Sequence, residues 1–317
     1  MKQRLSPLHH RSTEQGGAAL LMAMIIVALV ATLAVSMVWQ QWRAVQVETA
    51  ERVRAQSTWI LSGALDWASL ILKEDGRDYD LLDDVWATPV AESRLSTFLA
   101  ADKNNTEDGP EAFLSGAITD AQARFNLRNL VDATGQVAPE QVAALERLCS
   151  SLDIAANTAT LIAKGLSGAL SQGTAQAMAN PPLLPKRVDQ LTWLGVAPQA
   201  LQRLEPFVVL LDSKTTVNVN TASREVIAAV IPGLNLGDAE RMVQARPFKK
   251  PPDIQNQLPN LPASALQNVG ISSNFFEVRG RLRLADRVLE QRSIVERSGR
   301  TIFVRSREYV SSRDAGS

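Results

Sequence analysis

Residues 18–38 read AALLMAMIIVALVATLAVSMV, an apolar run of 21 residues without one ionisable side chain. A helix of about 20 apolar residues spans a bilayer, so this run is long enough to cross one. The segment before it is mainly basic and contains Lys2, Arg4, Arg11 and Glu14. A positive flank of this kind favours the cytoplasmic side of a membrane. The run therefore predicts one membrane-spanning helix with a cytoplasmic N-terminus and the remaining chain on the far side.

The junction before this run separates three kinds of N-terminus. A cleaved secretory signal has an apolar core of about 7–15 residues and a small-residue cleavage site. The sequence Ala34-Val35-Ser36 keeps that alternative open, and an uncleaved anchor is the second alternative. Here, however, Glu14-Gln15-Gly16-Gly17 abuts the apolar run directly, which resembles the leader of type IV prepilins. The resemblance implies that a prepilin peptidase cleaves after Gly17 and that Ala18 becomes the first mature residue.

The fifth mature position would then be Met22, where most pilins and pseudopilins carry a glutamate. That glutamate pairs with the N-terminal ammonium of a neighbouring subunit inside the membrane, where an unpaired charge is costly. A subunit with Met22 cannot form this pair.

Helical periodicity continues beyond the membrane segment, with no Pro or Gly until Gly63. One face of this helix carries Val53, Ile60, Ala64, Trp67 and Ile71. The spacing predicts a single helix from Ala18 to Lys73, about 84 Å long, whose outer half packs on a sheet of the same chain.

The rest of the chain gives strand signals at both ends and helix signals between them. Residues 112–130 predict a strand that enters a turn, and Pro139 predicts the first turn of a helix over 140–152. Residues 276–284 alternate apolar and charged side chains, which predicts a half-buried strand. Residues 288–296 and 301–310 predict a hairpin around Ser298-Gly299. The order predicts an α+β fold in which a sheet carries a helical insertion.

Composition excludes several functions. The chain has 33 Lys plus Arg and 33 Asp plus Glu, so its net charge is zero, which argues against a globally basic nucleic-acid binder. Cys149 is the single cysteine, and the two histidines, His9 and His10, lie in the leader. A mature chain without histidine lacks Ser-His-Asp and Cys-His catalysis and any His-ligated metal. We therefore predict a protein that is not an enzyme and has no cofactor.

Residues 74–108 form an acidic segment, with ten acids against three bases. No apolar period runs through it, so it is predicted to be a loop with short helical turns. A weak calcium site is the sharper hypothesis, with Asp78, Asp80, Asp83 and Asp84 as its ligands. The segment lacks the glycine and the bidentate glutamate of an EF-hand loop, so a solvated acidic surface is the favoured interpretation.

Four motifs in order resemble general secretion pathway protein K, the large minor pseudopilin family of the type II secretion system. They are the glycine-terminated leader, Asp83–Pro89 (DDVWATP), Ile118–Leu130 (ITDAQARFNLRNL) and Val217–Ser223 (VNVNTAS). The resemblance covers nearly the whole chain. It implies a type IV pilin-like fold, in which a long N-terminal helix packs on an antiparallel sheet and a large all-helical domain is inserted. It also explains Met22, because family members commonly lack the fifth-position glutamate.

The resemblance further implies a location and partners. The chain would be anchored in the inner membrane by one helix, with its C-terminal domain in the periplasm. It would cap the tip of the pseudopilus and help nucleate its assembly for protein export. Its partners would be minor pseudopilins I and J, the prepilin peptidase and, as further candidates, the secreted substrates.

The expected division of the chain follows from these signals. It is a prepilin leader at 1–17, the N-terminal helix at 18–73 with its membrane span at 18–38, a first pilin-like part at 74–131, an inserted helical domain at 132–269, C-terminal pilin-like strands at 270–311 and a tail at 312–317.

One departure from the family concerns calcium. Family members often carry an acidic Asp-x-Asp segment associated with calcium, but residues 163–184 here contain no Asp or Glu. A calcium site in that segment is therefore not expected.

Residues 217–254 also resemble the helix-hairpin-helix repeat of DNA-uptake and repair proteins. Such a hairpin binds phosphate through backbone N–H groups, and nearby cations assist it. The candidate cations are Arg241, Arg246, Lys249 and Lys250. Against this, the hairpin Gly233-Leu234-Asn235 lacks the second glycine of the phosphate-binding version. We predict a helical packing module, and a DNA-binding pseudopilin-like protein of a DNA-uptake system is the alternative function.

Two smaller expectations concern polar residues. Asn218, Asn220 and Thr221 are expected at the N-terminus of the helix over 223–230. Residues 274–313 carry ten arginines against five acids. This predicts either a solvated strand face or an arginine surface that pairs with an acidic partner or with the acids of 75–84, the arginines of 279–283 being the candidates.

Overall fold

The computed structural model describes residues 16–76, 78–95, 112–132, 134–171, 181–284 and 287–313. Most of the predicted leader, the end of the predicted tail, the acidic residues 96–108 and part of the segment 163–184 lie outside the described residues. The chain divides into two units, one ending at Trp59 and one beginning at Ile60.

The first unit contains the N-terminal part of helix α1, which runs over Gly16–Glu74. The predicted limits, Ala18 and Lys73, are therefore confirmed to within two residues. Between Leu20 and Val38 every large apolar side chain is 56–69 % exposed. This part of α1 thus buries none of its large apolar side chains within the described chain.

The second unit contains a five-stranded antiparallel sheet in the order β1-β2-β7-β8-β9. Its strands are β1 (Val90–Arg94), β2 (Ala112–Asp120), β7 (Phe275–Leu284), β8 (Arg287–Ser298) and β9 (Thr301–Arg313). β2 pairs with β7 from Ala112 opposite Leu284 to Asp120 opposite Phe276. The three C-terminal strands and the hairpin are confirmed, whereas β1 lies where we predicted a loop.

The outer part of α1 packs on one face of this sheet, but through a neighbouring row of residues. The buried positions are Leu61, Leu65, Ala68 and Leu72. The predicted row of Ile60, Ala64, Trp67 and Ile71 is only partly covered, and Trp67 is 50 % exposed. Both rows have the same helical spacing, so periodicity could not choose between them. The buried row is the one in which Leu61 lies close to the backbone of β7, because a Cβ on Gly280 would lie 3.1 Å from Leu61 Cδ2.

The apolar layer between α1 and the sheet is completed by an aromatic pair. Trp86 lies in a short 3₁₀ turn, Val85–Ala87, and its ring meets Phe276 edge-on at 5.1 Å between centroids. Trp86 is buried together with Leu65, Leu72 and Val278. The motif around Trp86 thus contributes a buried aromatic side chain to the apolar layer between α1 and the sheet.

Residues 121–274, between β2 and β7, are called the insert below. Its helices in the described ranges are α2 (Pro139–Ser151), α3 (Asn157–Leu170), α4 (Pro198–Leu204), α5 (Arg224–Val230), α6 (Leu236–Gln244) and α7 (Pro251–Gln257). Two-residue parallel pairs join β3 (Phe125–Asn126) to β4 (Val208–Val209) and β5 (Val217–Asn218) to β6 (Val269–Gly270). The predicted helical insertion in an α+β fold is confirmed, and its predicted limits at 132 and 269 stay predictions.

The insert has its own apolar core, to which α2, α3 and α5 contribute most of their buried faces. Gly165 lies inside α3, where a Cβ would come within 2.7 Å of Leu194 Cδ1. The glycine therefore permits close packing. Cys149 is buried in this core, and burial raises the pKa of its thiol to about 11.

Candidate functional site

Two of the four sequence motifs, Ile118–Leu130 and Val217–Ser223, supply residues to one buried region where the insert joins the sheet. Asp120 ends β2, Asn218 ends β5, and Arg297 lies near the end of β8. Asp80 comes from the loop after α1, and Thr221 and Ser273 come from the insert. These six residues, Asp80, Asp120, Asn218, Thr221, Ser273 and Arg297, are called the polar cluster below.

Asp120 is the most enclosed acid of the polar cluster. One carboxylate oxygen accepts hydrogen bonds from Thr221 Oγ1 at 2.5 Å, Ser273 Oγ at 2.6 Å and Asn218 Nδ2 at 3.0 Å. The other oxygen accepts the backbone N–H of Gln122 at 2.7 Å. Burial raises the pKa of Asp120, and these hydrogen bonds oppose the rise. Asp120 therefore joins the end of β2 to the insert through neutral donors.

Asp80 is the second buried acid, and it has a cation beside it. Its carboxylate oxygens accept from Arg297 Nη2 at 2.6 and 2.7 Å and from the backbone N–H of Ser273 at 2.7 Å. Arg297 also donates to Asp75 at 3.2 Å and to the Ser273 carbonyl at 2.9 Å. Burial raises the pKa of Asp80 to about 6, although Ser273 and Arg297 act in the opposite direction. Because Ser273 contacts both carboxylates, Asp80 and Asp120 form one network.

Further amides fix the backbone of the insert around the polar cluster. Asn220 donates to Phe248 O at 2.9 Å and accepts the Phe248 N–H at 2.8 Å. Gln122 donates to Thr216 O and accepts the N–H groups of Asn274 and Phe275. Each of these side chains bonds backbone groups that are distant in sequence, which explains why the motifs are rich in Asn and Gln.

The expected capping role of Asn218, Asn220 and Thr221 is therefore wrong. The N-cap of α5 is Ser223, whose Oγ accepts the N–H of Val226. The earlier polar residues turn inward because buried backbone and carboxylate groups need partners there.

The acidic loop is only partly the solvated surface that we favoured. Asp78 and Asp83 are exposed, whereas Asp80 and Asp84 are buried. The carboxylate oxygens of Asp75, Asp80 and Asp84 lie within 4.8 Å of one another. Arg297 already donates to Asp75 and Asp80, so this group of three acids has a cation beside it. The four predicted calcium ligands do not converge on one point, and the absence of a cofactor stays a prediction.

An arginine of residues 274–313 does pair with acids of residues 75–84, but it is not one of the predicted candidates. Arg297 makes this contact, whereas Arg279 pairs with Glu277 and Arg283 with Glu92. Glu277 also pairs with Arg124 of the insert at 2.6 Å. The idea of an intramolecular pairing is confirmed, and the candidate arginines at 279–283 were wrong, because their strand positions direct them to nearer acids.

Two of the four candidate cations of the hairpin-like segment, Arg241 and Arg246, have internal partners. Arg246 is partly buried and donates at 2.7 Å to Val219 O and also to Ala222 O. Arg241 pairs with Asp238. The geometry gives both arginines a structural role, and no contact in the described chain favours phosphate binding by this segment.

The predicted leader junction lies at the start of α1. Gly17, Ala18 and Met22 are all helical, and Met22 is exposed. Among the described helices, α1 alone has the length and apolar character to cross a membrane. Sequence reasoning found this helix but missed the Asp80–Arg297 pair, whose members give no local signal.

These features define a class of protein. A long N-terminal helix presents an exposed apolar segment at one end and packs on an antiparallel sheet at the other, and the sheet carries a helical insert. The architecture is that of a type IV pilin-like subunit whose N-terminal helix is long and apolar enough to cross a membrane, with a polar cluster that joins insert and sheet.

Comparison with known proteins shows similarity to one named family. Two family models described as type II secretion system protein K match residues 123–213 and 217–273. The chain is 28% identical over 307 residues to type II secretion system protein K of Pseudomonas aeruginosa, covering 86% of each chain. It is 28% identical over 340 residues to the Klebsiella pneumoniae protein of the same name, covering 95% of this chain and 98% of that one. The chain is therefore similar to type II secretion system protein K in two family models and in curated relatives of that name.

A solved structure agrees with this fold. The crystal structure of a GspK–GspI–GspJ complex from enterotoxigenic Escherichia coli contains a chain that matches with a TM-score of 0.61 and 21% identity. The match covers 83% of this chain and 99% of that one. The curated relatives are named as proteins of a type II secretion system, and the absence of an enzymatic activity stays a prediction.

Proposed function

We propose that this chain is the tip subunit of the type II secretion pseudopilus and helps nucleate its assembly. The observation that carries the proposal is the exposed apolar part of α1, from Leu20 to Val38. Apolar surface left in water costs about 25 cal/mol per Å². The segment therefore needs lipid before assembly and the helices of neighbouring subunits after it. The basic leader supports an orientation with the N-terminus in the cytoplasm and the sheet and insert in the periplasm.

Cleavage after Gly17 is the first step of this proposal. It would remove the basic leader and keep the whole apolar segment, with Ala18 as the new N-terminus. Met22 would then stand at the fifth position without a carboxylate. A subunit that has no neighbour above it has no ammonium to pair with, so Met22 suits a terminal position.

Minor pseudopilins I and J are the proposed partners. The support is the solved neighbour, which is described as a complex of GspK with GspI and GspJ. The insert, residues 121–274, adds a helical layer to the pilin-like sheet, and we propose that this added bulk blocks further subunits above the tip.

The cleavage step is tested by intact mass. The full chain is expressed with and without a prepilin peptidase, extracted from the membrane and weighed. We expect loss of residues 1–17 only when the peptidase is present, and no loss in Gly17→Val. Gly16→Val is the matched control and should still be cleaved after Gly17. Cleavage near residue 37, or equal processing of both variants, would contradict the proposal.

The tip position is tested by labelling assembled pseudopili. An epitope at the C-terminus should be detected with gold at one end of each filament, and label along the filament would contradict a tip role. Met22→Glu should allow incorporation below the tip and spread the label, because the missing carboxylate is restored. Met24→Glu, which introduces the same charge two residues away, should leave the label at the end.

A further inference from the structure

β9 is an open edge of the five-stranded sheet. It runs over Thr301–Arg313 and pairs on one side only, with β8. In the part of the chain that the structure describes, no other backbone hydrogen bond reaches these residues. At about 3.3 Å per residue, the strand exposes on the order of 40 Å of backbone N–H and C=O groups. Such a row is a template for an additional strand.

The opposite edge of the same sheet is protected. β1 has only five residues, Val90–Arg94, and its register against β2 shifts between Val90 and Ser93. Short length and irregular register are features by which proteins prevent unwanted pairing of edges. The register of β9 against β8 also shifts once, between Ile294 and Val295, but β9 is more than twice as long as β1 and contains no proline. Its side chains Phe303, Val304 and Tyr309 are 45, 44 and 42 % exposed. The two edges therefore differ in their readiness to accept a strand.

The charge of the β9 edge selects the kind of strand. Residues 299–313 contain four arginines, Arg300, Arg305, Arg307 and Arg313, against the single acid Glu308. Arg305 is paired with Glu296 and lies over the Phe303 ring. Within the described chain Arg307 contacts only the Ser62 hydroxyl, at 3.4 Å, and no carboxylate. Arg300 lies 3.8 Å from Glu74, so the uncompensated positive charge described at this edge is that of Arg307, and it favours an acidic partner.

A second copy of this chain is a poor occupant of the edge. Full antiparallel overlap of β9 with itself would be centred on residue 307 and would place Arg307 opposite Arg307. Like charges directly opposite each other in a sheet are destabilising. A different protein with carboxylates at alternate positions would instead satisfy both the backbone groups and the arginines.

We propose that β9 is a docking edge that accepts an acidic, extended segment of another assembly subunit as an additional strand of this sheet. Main-chain hydrogen bonds would supply affinity, and the contacts with Arg307, Phe303 and Tyr309 would supply selectivity. The surface is distinct from the apolar part of α1 and from the polar cluster.

Photo-crosslinking of the full chain tests this proposal. The photoreactive residue p-benzoylphenylalanine replaces Phe303 or Tyr309, and replaces Ala91 on β1 as the matched control. The cells carry the complete set of type II secretion genes, and crosslinked peptides are identified by mass spectrometry. We expect at least fivefold more crosslinking from 303 and 309 than from 91, to an acidic segment of a different subunit. Arg307→Glu should lower the yield about fivefold, and Lys164→Glu, the same charge change in the insert, should not.

Three outcomes would overturn the proposal. One is crosslinking between two copies of β9, which would favour self-pairing. Another is equal or absent crosslinking at both edges, which would show no docking at β9. The third is a crosslinked segment that is not acidic and is insensitive to Arg307→Glu. The choice of cells rests on the proposed function, so the intact mass of each variant is measured in the same sample, which separates a failure of leader cleavage from a failure of docking.

Discussion

The pKa of a buried carboxylate is shifted in opposite directions at two places, upward at Asp80 in the polar cluster and downward at Glu277. Asp80 meets one guanidinium, Arg297, with the carboxylate of Asp120 in the same network, and burial raises its pKa to about 6. Burial alone would also raise the pKa of Glu277, but Arg124 and Arg279 together lower it. The balance of cations and acids around each carboxylate, rather than burial alone, therefore decides whether its anion is stabilised.

Removing Arg297 should have the largest effect. Arg297→Met leaves Asp80 buried without its cation, and breaking a buried pair from one side costs about 3–5 kcal/mol. We expect that loss in the free energy of unfolding at pH 8, measured by urea denaturation of the intact chain in detergent. Arg279→Met is the matched control. In Arg279→Met, Glu277 still pairs with Arg124, and Arg279 itself is half-exposed. The loss in the free energy of unfolding should therefore be about 1 kcal/mol or less. Equal losses would contradict the comparison.

The pH dependence of stability should show the raised pKa of Asp80 directly. Between its ordinary value of 3.8 and about 6, the folded state holds a proton that the unfolded state has lost. Stability therefore falls as pH rises through this window, by about 3 kcal/mol at 1.36 kcal/mol per pKa unit. Urea denaturation of the full chain at several values between pH 4 and 7 measures it. Asp80→Asn should remove this contribution, while Asp120, whose pKa burial also raises, keeps its own. A slope unchanged by Asp80→Asn would assign the fall to Asp120 or another group.

Asp120 should matter through its hydrogen bonds. Asp120→Ala leaves the Ser273 hydroxyl and the Gln122 N–H without their acceptor, and these two buried unsatisfied donors should cost about 2 kcal/mol in total. The Asn218 amide keeps Asp80 O as an acceptor, and the Thr221 hydroxyl keeps Asn218 O. Asp120→Asn keeps one oxygen, and the two hydroxyls can reverse and accept, so we expect about 1 kcal/mol or less. The same denaturation assay separates the variants. A loss as large in Asp120→Asn would mean that charge, rather than hydrogen bonding, holds this site.

The parts of the fold that could be predicted from sequence are those with a local pattern. The strand over Phe275–Leu284 alternates apolar and charged residues, so its period revealed it. β1, residues Val90–Arg94, has five residues and no alternation, so the sequence pattern predicts a loop there. The long helix was found, but its buried row was shifted by one residue, because two apolar rows share the same spacing and only the glycine on the facing strand distinguishes them.

The polar cluster could not be assembled from sequence for a different reason. Arg297 and Asp80 are 217 residues apart, and Asp120 and Ser273 are 153 apart. Only the pairing of β2 with β7 and of β7 with β8 brings their strand ends together. The motifs indicated which residues are polar and grouped, but the fold alone shows that they are buried and meet. Asp80 therefore looked like part of a solvated loop.

The smallest predicted effect is the acid response of Glu277, and its sign is opposite to that of Asp80. A lowered pKa means that Glu277 stabilises the folded state above its ordinary value of 4.5 and loses this contribution as pH falls through the folded pKa. Its partners are partly exposed, so we expect about 1 kcal/mol or less. The Asp80→Asn/Asp120→Asn background removes the opposing groups. In that background, adding Glu277→Gln should flatten the loss of stability between pH 5 and 3. If the slope stays the same with and without Glu277, the two arginines do not stabilise its anion and the contrast with Asp80 fails.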